Sequence, residues 1–78
     1  MKTSELQTIT KNAAATIAPG DAARRLWPNG LGFDFLGWSY KYDEATDEWQ
    51  AARAGYIVGS GPTPEWARRA ARKIKAVA

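Results

Sequence analysis

A run of aromatic residues at every second position constrains this chain more than anything else in it. Trp38, Tyr40 and Tyr42 alternate with Ser39 and Lys41, and beyond an acidic gap Trp49, Ala51 and Arg53 alternate with Gln50 and Ala52. A period of two marks a half-buried β-strand, because successive side chains point to opposite faces of a sheet. With residues 44–47 as a hairpin loop, Asp43 faces Glu48, Tyr42 faces Trp49, Tyr40 faces Ala51 and Trp38 faces Arg53. That register gathers Trp38, Tyr40, Tyr42 and Trp49 on one face and Ser39, Lys41, Gln50 and Ala52 on the other. A slip of one residue would mix the two sets, so the pattern selects its own register. Ala54-Gly55 supplies a tight turn into a third short strand at residues 56–58, completing a three-stranded antiparallel meander.

Helical signals flank the meander. Ser4 and Gln7 have the spacing of a capping box, and Leu6, Ile9, Ala13 and Ile17 recur at steps of three and four before Pro19-Gly20 ends the pattern. Asp21 is placed to cap a single helical turn over residues 22–27, from which Arg24 and Arg25 would project, before the break at Pro28-Asn29-Gly30. Residues 31–37 read as a Gly-rich apolar segment, and Gly59-Ser60-Gly61-Pro62 as a loop. The last helix starts with Thr63 as N-cap and Pro64 in the first helical position. In it Trp66, Ala67, Ala70, Ala71, Ile74 and Val77 fall within an arc of roughly 140°, opposite Arg68, Arg69, Arg72, Lys73 and Lys75. The fold class is therefore α+β, one small domain over residues 1–78. It has an N-terminal helix, the meander and a C-terminal amphipathic basic helix packed on the aromatic face. The expected core is Leu6, Ile9, Ile17, Phe35, Trp38, Tyr40, Trp49, Ile57, Trp66, Ile74 and Val77.

Composition narrows the chemistry. The chain has no cysteine and no histidine, which removes the thiolate nucleophile, the zinc-finger ligand set and the commonest general base. No nucleophile–base–orienter arrangement can be assembled from recognisable motifs, so a non-enzymatic protein is expected, without cofactor or metal. The absence of cysteine suits a reducing interior. No signal-peptide core and no run of roughly 20 apolar residues occurs, so a cytoplasmic location without a membrane partner is expected.

The charge distribution points to a partner. Up to Pro62, six basic residues oppose seven acidic ones, whereas from Thr63 onward five basic residues oppose Glu65 alone. Arg68, Arg72 and Lys75 stand at i, i+4 and i+7 with Arg69 and Lys73 beside them, a spacing that holds several cations within reach of a polyanion. The bland account is a solvated face whose cations meet the negative end of the helix dipole. A solvated face more often mixes signs, and this one has no acid after Glu65. The expected activity is therefore contact with nucleic-acid phosphates through Arg68, Arg69, Arg72, Lys73 and Lys75. Arg24 and Arg25, beside Trp27, form a secondary candidate. The alternative is a stand-alone adaptor or inhibitor, of the size phages and mobile elements encode, docking on an acidic protein surface.

Other features read as structural. Asp43, Glu44, Asp47 and Glu48 lack the spacing of an EF-hand and are accounted for as a polar hairpin tip. Gly59-Ser60-Gly61 looks superficially like a phosphate cradle, but Pro62 and Pro64 remove amide donors and Glu65 adds a repelling charge.

Two partial resemblances are present. Gly59-Ser60-Gly61-Pro62-Thr63 followed by Ala67-Arg68 and Ala71 is similar in spacing to the end of double-stranded-RNA-binding domains. In that family a lysine pair opens the last helix, where this chain has Pro64 and Glu65. Residues 38–73 also resemble the three-strands-plus-helix DNA-binding modules of the AP2 and integrase arm-binding kind. That likeness implies DNA reading by the outer sheet face, for which this chain offers Lys41 beside Ser39, Gln50 and Ala52. Each likeness covers about half the chain or less, and neither assigns it to a family.

Overall fold

A computed structural model describes residues 3–20, 24–55 and 58–73. The elements are α1 (Thr3–Ile17), β1 (Arg24–Leu26), β2 (Gly32–Phe35), β3 (Trp38–Asp43), β4 (Glu48–Ala52), β5 (Gly59–Gly61) and α2 (Pro64–Lys73). All five strands form one antiparallel sheet in the order β1-β2-β3-β4-β5, so each strand lies beside its neighbour in sequence. Both helices cover the same face of it: α2 packs on β4 and β5, and α1 packs on β1, β2 and α2. No helix among the described residues is long and apolar enough to cross a membrane.

The β3–β4 hairpin adopts the register its alternation requires. Asp43 pairs with Glu48, Tyr42 with Trp49 and Tyr40 with Ala51. One step further, the Arg53 guanidinium lies 5.8 Å from the Trp38 ring centroid. In the loop the Ala45 amide donates to Asp43 Oδ1 at 3.1 Å, and the Tyr42 hydroxyl donates to Asp47, which sits at φ 55°. Two of the four acids thus have local roles at the hairpin tip.

The sheet is wider than the alternation indicated. Residues 24–26 are an edge strand, not part of a helical turn, and Phe33 and Phe35 carry β2 across to β3, pairing with Tyr40 and Trp38. The third strand of the meander is displaced: β5 is Gly59–Gly61, a stretch read as loop, and it pairs with β4 through Trp49, Gln50 and Ala51. Val58 is exposed and outside the strand. The expected strand residues Tyr56 and Ile57, the Asp21 cap, the Ser4 side chain, and the core positions Ile74 and Val77 lie outside what is described.

The core is aromatic on the sheet and small on the helices. Phe33 stacks on Tyr40 with centroids 4.8 Å apart and meets Trp49 edge-on at 5.9 Å, while Tyr42 and Trp49 lie 5.4 Å apart. Against these rings pack Leu6, Ala14, Ala51, Ala67 and Ala71, with Ile17 and Phe35 partly buried. Two expected core residues are corrected. Ile9 is 36% exposed, because the buried stripe of α1 runs through Leu6, Thr10, Ala14 and Ala18. Trp66 is 54% exposed, because α2 is rolled so that Pro64, Ala67 and Ala71 meet the sheet. The roll is set by β5. A Cβ at Gly59 would overlap the Ala71 amide nitrogen and the Ala67 carbonyl oxygen, and one at Gly61 would lie 2.8 Å from Trp66 Cβ. Glycine on the strand and alanine on the helix let the two backbones touch.

On the opposite, helix-free face, Asp34 ties β1 to β2. Its carboxylate accepts from Trp27 Nε1 and from Arg25, each at 3.1 Å. Burial opposes its ionisation, but hydrogen bonds from Trp27, Ser39 and Arg25, with the Arg25 charge, hold the carboxyl below its usual value of 3.8. A depressed carboxylate stabilises the fold above its unfolded-state pKa and loses that contribution as pH falls through its folded-state pKa. Asp34→Ala is therefore expected to cost about 1–2 kcal/mol at neutral pH. In paired urea melts, the gap between the two proteins should narrow as pH drops below 3.8.

Candidate phosphate-binding cleft

The roll of α2 that exposes Trp66 also divides its basic face. Arg68 and Arg72, one turn apart, fall on the flank nearer the sheet, and Arg68 is half-buried. With Arg53, just past the end of β4, they line a cleft of about 220 Å³ whose remaining wall is Phe35, Leu36 and Trp38. Three arginines from two distant parts of the chain thus line one recess. Among the described residues no carboxylate lines it, and none of the three arginines forms a salt bridge.

Each wall has a local cause. Arg53 is held at the mouth by its cation–π contact with Trp38. Arg68 is anchored by its neighbours Ala67 and Ala71, which sit fully buried on β5. Burial raises the pKa of the Tyr40 hydroxyl, and the Arg68 side chain beside it works against that rise. Leu36 and Gly37 form the two-residue β2–β3 turn, both with positive φ (49° and 84°), as a type I′ turn requires. Glycine adopts that conformation at no steric cost, whereas Leu36 does not, and its side chain is 72% exposed.

Thr63 caps α2 as its sequence position implies, its Oγ1 accepting from the Trp66 amide at 3.2 Å.

The other candidate residues are placed differently. Arg69 pairs with Glu65 at 3.0 Å and lies 5.6 Å from the Trp66 ring centroid, so it stands on the outer side of the helix. Lys73 is exposed one turn further on, and Lys75 lies outside the described residues. Arg24 donates to the Ala18 carbonyl and Arg25 is bound to Asp34 on the other side of the sheet. Neither lines the cleft. Arg53 is the site residue that sequence reasoning missed: it was visible as the cross-strand partner of Trp38, but nothing in the spacing linked it to Arg68 and Arg72.

The chain matches no family model, no curated protein and no solved structure. The helix-free sheet face carries Arg25 and Lys41 against Asp34, Asp43 and Glu48, a balance that does not draw a polyanion. The cleft and the adjoining face of α2 concentrate positive charge, with Glu65 already paired to Arg69.

Proposed function

We propose that this protein is a small non-enzymatic module that binds nucleic acid by its phosphates, through Arg68 and Arg72 of α2 together with Arg53. The observation that carries this reading is that three arginines, and no carboxylate among the described residues, line one cleft. Arg69 and Lys73 extend the basic surface along the outer side of the helix. The Arg69–Glu65 pair is exposed, and such pairs contribute little, so Arg69 exchanges readily onto a phosphate. Guanidinium groups grip phosphate oxygens bidentately, and the counterions they displace make such binding salt-dependent. Base-edge readout has no obvious source here, since the cationic side chains match the backbone and not a particular sequence.

The test is binding of labelled duplex DNA, duplex RNA and single strands at about 50 and about 200 mM salt. Micromolar or tighter binding that weakens steeply with salt is expected. The double reversal Arg68→Glu, Arg72→Glu should weaken it roughly 100-fold at the lower salt, because two phosphate contacts become repulsions. Absence of binding to every probe at the lower salt would overturn the reading. The same basic surface would then direct attention to an acidic protein partner.

A further inference from the structure

We infer that the cleft itself receives a terminal phosphate, the phosphomonoester end of a nucleic-acid strand, with the first nucleoside resting on the apolar lip formed by Leu36 and Phe35. The inference rests on the nucleic-acid reading above and narrows it to a chemical class of ligand.

Charge matching favours an end over the interior of a strand. An internal phosphodiester carries a single negative charge and two free oxygens. A phosphomonoester carries about −1.5 to −2 at neutral pH and three acceptor oxygens. Arg53, Arg68 and Arg72 line one recess of about 220 Å³ that has no carboxylate among its described lining residues. Such a group of cations repels itself when empty and is best neutralised by a dianion with enough oxygens to engage several guanidinium forks. A phosphate inside a continuous strand is tethered on both sides and lies along a surface, whereas an end can enter a recess.

The wall beside the arginines also asks for an explanation that folding does not supply. Leu36 is a large apolar residue, mostly exposed, in a backbone conformation that disfavours it. Phe35 beside it is only partly buried. Strain and exposed apolar surface at the lip of a charged recess suit contact with a sugar or base next to the bound phosphate.

The test uses one internally labelled single-stranded oligonucleotide in three forms: 5′-phosphorylated, 3′-phosphorylated and unphosphorylated at both ends. At about 50 mM salt the full chain is expected to bind at least one phosphorylated form roughly tenfold tighter than the unphosphorylated form, a preference carried by charge-assisted contacts to one group. Arg53→Ala should bring that ratio to about one. Leu36→Asn, which places the Asn-Gly pair that type I′ turns prefer, keeps the fold and should lower affinity for the phosphorylated form several-fold. Circular dichroism of both variants verifies folding. Equal binding of all three oligonucleotides, or a preference that survives Arg53→Ala, overturns the terminal-phosphate inference and leaves the broader reading standing. Failure of all three to bind removes both. Inorganic phosphate that competes as well as the phosphorylated strand would identify free phosphate as the ligand and overturn the strand-end assignment.

Discussion

Gly59→Ala is expected to destabilise the protein by about 3 kcal/mol, because one added methyl group has nowhere to go. The Cβ would overlap the backbone of α2 at Ala67 and Ala71, not the end of a flexible side chain that could swing aside. Relief requires the whole helix to lift off β5, which opens the contact between the fully buried alanines and the sheet. For a domain of this size the loss corresponds to a fall of roughly 12–24 °C in Tm. Thermal unfolding followed by far-ultraviolet circular dichroism measures it directly, and an unchanged Tm would show that α2 does not sit on β5 as described. Lifting α2 also carries Arg68 and Arg72 away from Arg53, so any protein that remains folded should bind phosphate ligands more weakly.

Phe33→Ala should cost still more, about 4 kcal/mol, since it leaves a cavity where a fully buried ring stacked on Tyr40 and touched Trp49. Domains of this length have a total stability of roughly 4–12 kcal/mol, so the variant loses between about a third and all of it. Loss of near-ultraviolet dichroism, or a urea midpoint lowered by several molar, is the expected result. A midpoint shift below about 1 M urea would mean that the surrounding rings close over the gap.

What could be read from the sequence depended on how strongly one face differed from the other. The β3–β4 register was legible because Trp38, Tyr40, Tyr42 and Trp49 contrast sharply with Ser39, Lys41 and Gln50. The α2 start was legible because Thr63 and Pro64 are strong local signals. β1 and β5 were not, since Arg24-Arg25-Leu26 has no apolar alternation and Gly59-Ser60-Gly61 has almost no intrinsic strand preference. Both become strands only by pairing with β2 and β4. The same tertiary effect misled the helix wheel. Trp66 is the largest apolar residue of α2, but its smallest side chains decide which side lies down, because β5 offers no side chains to hold the helix away. In α1 the wheel placed Leu6 and Ile17 against the core, where they are, but put Ile9 inward where the structure buries Thr10, whose hydroxyl has no partner among the described residues. The arginines of α2 were legible as a basic face. Their meeting with Arg53 was not, because it depends on where the helix sits.

The strand order has a kinetic consequence. Every strand pairs with the one before it in the chain, so each hairpin closes a short loop before the next is needed, and the entropy of closure is met in small steps. The β3–β4 hairpin, with the Tyr42–Trp49 ring contact beside its turn, is the natural place for that sequence of closures to begin. Changes there should slow refolding, while changes where α2 meets β5 should act chiefly by hastening unfolding. The cleft straddles the two: Trp38 and Arg53 belong to the hairpin that closes first, whereas Arg68 and Arg72 arrive with α2, so the recess is completed last and opens first.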